Sequence, residues 1–167
     1  MSPRHLLWLA LLPAVSAFAA ETPELQRAAG TPQAVGAAHT LRQIPEACAR
    51  LEGVFTGEAA QPYKFAVVRT SEQCQPRARF VDYDKAQPSE AKGWKLNDVI
   101  RVPNAGCPAQ QAVVRVWRMP VTTTPERDGQ GQSRIYLEDA KKQAAAGKIA
   151  QVPMFAAQMK VEGKACN

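Results

Sequence analysis

Two acidic residues of this 167-residue chain, Asp82 and Asp84, stand two positions apart in a stretch with the alternation of a strand. Side chains two positions apart on a strand point to the same face, so these carboxylates would lie side by side. Such a pair could serve general acid–base catalysis or bind a cation. The same spacing also suits a solvated strand end, and we favour that interpretation.

Nucleophilic catalysis by Ser or Cys needs a base that activates the nucleophile. The chain has two histidines, His5 and His39. His5 falls in a segment that we expect to be removed, and His39 falls in a flexible-looking stretch where we expect it to be exposed. Glu138 and Asp139 are explained as first-turn acids of a helix rather than as metal ligands. No phosphate loop, dinucleotide fingerprint or zinc helix occurs, so we expect no metal and no cofactor.

The first 19 residues have the pattern of a secretory signal peptide, with a basic start, an apolar run over residues 6–15 and a small-residue cleavage site ending at Ala19. The run is shorter than the roughly 20 residues that span a membrane, and no later segment is apolar enough to do so. Cleavage after Ala19, with Ala20 as the alternative end, removes Arg4 and no acid, so cleavage after Ala19 leaves 148 residues and lowers the formal net charge from +6 to +5. We therefore expect a periplasmic or secreted protein.

The remaining cysteines are Cys48, Cys74, Cys107 and Cys166. In an exported chain an even count predicts two disulfides, and the absence of C-x-x-C spacing argues against zinc. If residues 48–55 and 63–70 form an antiparallel hairpin, the chain after the second strand folds back onto Cys48. This geometry favours pairing Cys48 with Cys74 and Cys107 with Cys166, although four cysteines allow three pairings.

These chemistries depend on strands that position the residues. The best strand signal covers residues 110–118, which are rich in β-branched residues, lack Gly and lie between two prolines. One apolar face marks this strand as central. Further strands are predicted over residues 47–56, 63–70, 77–83, 94–102 and 133–137.

The C-terminal part predicts one helix over residues 138–146, where acids precede lysines and Gly147 ends the run. Residues 149–161 are apolar, but Pro153 predicts an edge strand or an irregular stretch. Together the pattern predicts an α+β, mainly β fold with an antiparallel sheet of about five to six strands. Residues 20–43 are expected to form a flexible tether, and residues 44–167 a single domain.

Basic residues on the predicted strands could form a binding surface. The alternation places Arg77 with Arg79, and Lys95 with Arg101, on shared faces, and sets Arg115 on one face of the central strand beside Trp117. Arginine binds carboxylate and phosphate groups and stacks on aromatic rings. The candidate ligand-binding residues are Arg77, Arg79, Lys95, Arg101, Arg115 and Trp117. The alternative is that these arginines simply face solvent.

We therefore expect an exported, non-catalytic binding or interaction protein of the bacterial cell envelope, whose partner is an anionic envelope component or an acidic protein. The compartment argues against nucleic acid, although the positive charge would allow it. Two alternatives remain open: a small extracytoplasmic hydrolase using carboxylates, and an enzyme-inhibitor module that presents residues 120–132 as a loop. The sequence names no ligand and sets no oligomeric state.

Overall fold

The structure, a computed structural model, describes residues 21–121, 129–130, 142, 145–146 and 152–166. The strands in these residues are β1 (His39–Ile44), β2 (Ala49–Phe55), β3 (Tyr63–Arg69), β4 (Arg79–Phe80), β5 (Lys95–Asn104), β6 (Cys107–Met119) and β7 (Met154–Gly163). A one-turn helix, α1 (Tyr83–Ala86), and 3-10 turns at Pro45–Ala47 and Glu90–Lys92 connect them. The described chain is mainly β, as the sequence predicts.

The strands form two sheets rather than the predicted single one. The first sheet has the order β1-β2-β3, and the second has the order β4-β7-β6-β5. All neighbouring strands are antiparallel except β4 and β7, which pair in parallel. β6 is an interior strand, as its apolar pattern predicts. The predicted helix over residues 138–146, the strand over 133–137 and the loop over 120–132 fall largely outside the described residues.

A hydrophobic cluster joins the two sheets. The first sheet contributes fully buried Leu51 and Phe55, and the second contributes fully buried Val114 and Val116. Burying side chains of this kind contributes roughly 1.5–3 kcal/mol each. Because this cluster occupies the inner face of the second sheet, the opposite side, here called the outer face, is the one that other contacts can use.

The outer face carries a second cluster. It consists of Trp94, Leu96, Val99, Val113, Trp117 and Ala156. The helix α1 packs here through Tyr83 and Ala86. Part of the outer face is therefore closed by apolar packing, and the remainder carries polar and charged side chains.

The two disulfides join Cys48 to Cys74 and Cys107 to Cys166, the pairing that the hairpin geometry favours. β2 and β3 pair directly, with Thr70 donating its backbone N–H to the Cys48 carbonyl at 2.9 Å. The bridges close spans of 26 and 59 residues. In the chain-entropy model such spans contribute at most about 3.5 and 4 kcal/mol to stability.

The N-terminal segment differs from the tether expected over residues 20–43. It runs in parallel beside β5, where Leu25 donates to the Asn97 carbonyl at 2.8 Å and Gly30 to the Arg101 carbonyl at 2.7 Å. β1 then begins at His39, before the domain start expected at residue 44. An edge strand presents unpaired backbone groups, and this segment donates to four carbonyls of β5, those of Leu96, Asn97, Arg101 and Pro103.

Candidate functional site

The predicted carboxylate pair does not lie on a strand. β4 ends at Phe80, and Asp82 caps the helix that follows, accepting a hydrogen bond from the Lys85 backbone N–H at 2.9 Å. Asp84 sits exposed in the first turn of that helix. A cap satisfies one of the unpaired N–H groups of a helix start and stabilises it by about 1 kcal/mol. Asp82 therefore has a structural role, and the strand-borne pair expected from the sequence is not formed.

Asp98 is the fully buried acid of the described residues. Both of its carboxylate oxygens accept from Arg27 Nε at 2.9 Å, and Oδ2 also accepts from Arg42 Nη1 at 3.2 Å. Burial lowers the pKa of Arg42, and Asp98 is the main opposing influence. The three residues fasten the N-terminal segment and β1 onto β5, because a buried charge is tolerated only when it is paired.

Next to Asp98, a chain of hydrogen bonds reaches β6. Asn97 accepts from Arg42 at 2.6 Å and donates to Glu24 at 2.9 Å, and Glu24 accepts two bonds from Arg118. These contacts, chiefly the Arg118 hydrogen bond, lower the pKa of Glu24 to about 2. The network holds the N-terminal segment around Glu24 in place, and the Glu24 carboxylate is bound by Arg118 and Asn97.

His39, which the sequence suggests is an exposed residue of a flexible stretch, is part of β1. Its Nε2 lies 2.8 Å from the Tyr63 hydroxyl, and its ring packs near Phe55 and Tyr63. Tyr63 is fully buried, and this burial raises its pKa well above the usual value. The pair anchors the first sheet, and we assign it a structural role.

A β-bulge separates two of the predicted basic residues. Leu96 pairs with Trp117 but Asp98 pairs with Val116, so Asn97 is an extra residue in β5. An extra residue shifts the alternation by one position. Lys95 and Arg101, expected on one face, therefore lie on opposite faces of the second sheet. This corrects the sequence expectation.

Three basic residues lie close together on the outer face. Val113 pairs with Arg101 on one side and with Lys160 on the other, so the three form one row across β5, β6 and β7. Adjacent strands lie roughly 4.8 Å apart, which separates the Arg101 and Lys160 backbones by about 10 Å. Arg115 follows two positions along β6 on the same face. We call Arg101, Arg115 and Lys160 the basic cluster.

The charges of the basic cluster are only partly balanced. Arg101 and Lys160 are exposed, and within the described part of the chain no carboxylate lies within 4.0 Å of their charged nitrogens. Arg115 pairs with Glu162 at 3.5 Å, with both side chains about a third or more exposed. An exposed pair of this kind is worth at most about 1 kcal/mol. An incoming anion could therefore compete with Glu162.

A concavity of about 300 Å³ adjoins the basic cluster. It is lined by Pro103, Pro108, Ala109, Gln110, Gln111, Glu162 and Gly163. Pro103, Gln111 and Glu162 form the next row of the outer face beyond Arg101 and Lys160. The volume is at the lower end of the range of small-molecule sites. Proline rings and amides in such a space could hold the uncharged part of an anionic ligand.

Gly163 lets β7 pass close to the start of β6 beside this concavity. It has φ of +94°, and a Cβ there would overlap the carbonyl oxygen of Ala109. Only glycine adopts this conformation without strain and leaves space for the neighbouring backbone. The shape of the concavity thus depends on one residue at the end of β7.

The other predicted binding residues lie elsewhere. Arg79 is on β4 and also faces the outer side, where it pairs with Met154, but it lies at the far edge of the second sheet from Arg101. Arg77 precedes β4 and donates its N–H to the Glu46 carbonyl. Lys95 pairs with Arg118 on the inner side. Trp117 is 7% exposed within the second hydrophobic cluster.

Lys160 is the residue that sequence reasoning missed. Gln158, Lys160 and Glu162 alternate with apolar residues, which is a strand signal, but Pro153 suggests an edge strand or an irregular stretch there. The structure places β7 in the interior of the second sheet, between β4 and β6. Pro153 instead lies just before β7, where its carbonyl accepts from the Arg79 N–H at 2.8 Å. Proline at that position costs no hydrogen bond of the strand.

Comparison of the chain with protein-family models, with curated proteins and with solved structures found no match. Among the described residues, no helix is both long and apolar enough to cross a membrane. The two disulfides indicate an oxidising, extracytoplasmic location, because thiols stay reduced in the cytosol.

Proposed function

We propose that this protein is an exported, non-catalytic binding protein of the bacterial cell envelope, which recognises an anionic envelope component through the basic cluster. The observation that carries the proposal is the row formed by Arg101, Val113 and Lys160, with Arg115 beside it. The expected signal peptide over residues 1–19 and the two disulfides agree with an envelope location.

The spacing of the charges favours a ligand with more than one anionic group. Arg101 and Lys160 flank buried Val113 on neighbouring strands, at a backbone separation of about 10 Å. Arginine suits bidentate contact with phosphate or carboxylate, whereas lysine acts as a point charge. Phosphate groups of lipopolysaccharide and carboxylates of acidic glycans both have this chemistry.

The carboxylate-hydrolase alternative has less support. Of the acids that could serve it, Asp82 caps a helix and Asp98 is bound by two arginines. The inhibitor alternative depends on residues 120–132, most of which lie outside the described residues. Neither alternative has a specific observation in its favour.

Charge-neutralising variants test the proposal. The exported, oxidised protein is titrated against purified lipopolysaccharide, against polygalacturonate and against neutral phosphatidylcholine vesicles. A basic residue near an anionic surface contributes about 1 kcal/mol, so the double variant Arg101→Gln/Lys160→Gln should bind the anionic probe roughly 30-fold more weakly.

The matched control is Arg77→Gln/Arg79→Gln, which removes the same charge from exposed residues away from the cluster. It should retain most of the affinity. Equal losses in both double variants would show that only net charge matters and would contradict a defined site. Binding to neither anionic probe would contradict the proposed ligand class.

A further inference from the structure

The outer edge of β3 is an open strand edge. Within the part of the chain that the structure describes, its one strand neighbour is β2. Ala66 and Val67 are exposed, and Val67 is one of the exposed large apolar residues at 42%. β3 is seven residues long and apolar at its centre. Such an edge presents backbone groups ready to pair with another strand.

The hydrogen bonds of the first sheet identify the residues that face this edge. Thr56 donates to the Pro62 carbonyl at 3.0 Å, and Thr70 donates to the Cys48 carbonyl at 2.9 Å. In an antiparallel pair, residues alternate between bonding their neighbour and pointing away. The even-numbered residues of β3 therefore bond β2. The odd-numbered residues, among them Phe65, Val67 and Arg69, direct their N–H and C=O groups outward.

We propose that this edge pairs with β3 of a second copy of this chain, antiparallel and with the two-fold axis at Ala66. The two first sheets would then join into one six-stranded sheet across the dimer. Phe65 of each copy would exchange two backbone hydrogen bonds with Val67 of the other, because the backbone N–H and C=O groups of both residues point to the open edge. The contact is isologous, so the same patch serves both copies.

The side chains of β3 suit a second copy in this register. Phe65 and Val67 face the same side as buried Leu51, so the partly buried Phe65 of each copy would cover the partner's exposed Val67 with an apolar side chain. Lys64 would lie opposite Val68. Moving the axis to Lys64 would instead place the two lysines against each other, which is unfavourable.

The end of β3 does not obstruct the pairing. The Arg69 guanidinium donates to the Ser71 and Glu72 carbonyls at 2.9 and 2.8 Å. Its own loop therefore holds this cation through Nε and Nη2. The free backbone groups and the apolar centre of the strand are left for the partner.

Sedimentation velocity of the exported, oxidised protein across a wide concentration range tests dimer formation. The native protein should show a concentration-dependent dimer. Val67→Pro removes an N–H that points to the open edge, so the first sheet keeps its hydrogen bonds while the edge loses a donor. This variant should stay monomeric with an unchanged circular dichroism spectrum. Val67→Lys, which places a charge on the edge, should do the same if the proline variant fails to fold.

Cross-linking tests the register. Directly opposite residues of a non-hydrogen-bonded pair have Cβ atoms about 4.5–5.5 Å apart, close to disulfide geometry. Ala66→Cys, at the two-fold axis, should form an intermolecular disulfide on mild oxidation, whereas Lys64→Cys should not. A native protein that stays monomeric, a dimer that persists in Val67→Pro, or equal cross-linking of the two cysteine variants would overturn the proposal.

Discussion

The hydroxyl of Tyr63 lies directly over Gly53 and meets His39 Nε2 at 2.8 Å, so one side chain connects all three strands of the first sheet. His39 Nδ1 lies 3.0 Å from the carbonyl of Ala37. A carbonyl only accepts, so Nδ1 donates to it, and in neutral His39 the Tyr63 hydroxyl donates to Nε2. The bare backbone at Gly53 is what permits this arrangement.

Gly53→Ala should lower the free energy of unfolding by about 1–3 kcal/mol, because an added Cβ would overlap the Tyr63 ring and force a shift in the core. Urea unfolding measures the loss. Gly129→Ala is the matched control, since a Cβ there meets no atom of the described residues within 4 Å, and it should change stability by less than about 1 kcal/mol. A neutral Gly53→Ala would contradict the contact.

Asp98→Asn should lower the free energy of unfolding by about 3–5 kcal/mol, because it leaves Arg42, whose side chain is 14% exposed, without its anionic partner. The matched substitution Arg27→Gln removes a side chain that is 41% exposed. It should lower the free energy of unfolding by no more than about 1 kcal/mol. Chemical denaturation distinguishes the two. Similar losses would show that the buried carboxylate is not the centre of the network.

The Glu24 carboxyl should make the N-terminal segment sensitive to acid. Its pKa falls from the ordinary 4.5 to about 2, chiefly through the Arg118 hydrogen bond. Because the pKa is lowered in the folded state, the stabilisation that the ionised Glu24 carboxylate gives to the fold is complete above pH 4.5 and is lost as the pH falls toward 2. The hydrogen-exchange protection factor of the Leu25 amide, which donates to Asn97, should therefore fall across that window.

Substitution of the acid tests the same point. Glu24→Gln should lower Leu25 protection at neutral pH and remove most of its pH dependence. Glu58→Gln, a change at an exposed acid away from this segment, should leave both unchanged. If the native protein kept full protection at Leu25 down to pH 2, the ion pair would not hold the segment.

Glu162→Gln should strengthen binding of an anionic ligand. The substitution removes a negative charge beside the concavity and releases Arg115 from its pair. A gain of about 1 kcal/mol corresponds to roughly fivefold tighter binding in a titration with lipopolysaccharide. Glu52→Gln, which breaks a pair with Arg50 on the first sheet, is the matched control and should have no effect. Weaker binding of Glu162→Gln would contradict the placement of the ligand.

The parts of the fold that local sequence signals could predict are those with strong alternation and a nearby partner. The hairpin of β2 and β3 pairs Phe55 with Tyr63, as expected, and its geometry brings Cys74 to Cys48. The central position of β6 follows from its apolar residues. In both cases the residues that carry the pattern lie close together in the sequence, so the prediction does not require knowledge of contacts between distant parts of the chain.

The bulge at Asn97 could not be predicted in this way, and it determines which residues of β5 face the outer side of the second sheet. It turns Asp98 toward Arg27 and Arg42, which lie 71 and 56 residues away in the sequence. A strand pattern contains no information on such distant partners. The plain alternation of β5 therefore predicts the wrong face for Lys95, and the third member of the basic cluster is Lys160 of β7.

The position of the N-terminal segment also could not be predicted from local sequence patterns. Its small residues give no strand pattern, and its hydrogen bonds depend on the free edge of β5 rather than on its own composition. The parallel pairing of β4 with β7 likewise joins Phe80 to Phe155 across a long stretch of chain. Both features come from tertiary pairing, which alternation and propensity do not encode.

The most direct test of the account is the salt dependence of binding by the native, oxidised protein to lipopolysaccharide. The screening length falls from about 10 Å at 0.1 M salt to about 3 Å at 1 M, so binding through the basic cluster should weaken steeply over this range. Loss of this salt dependence in Arg101→Gln/Lys160→Gln would support the account. Binding that is unchanged by salt, or no binding at low salt, would contradict it.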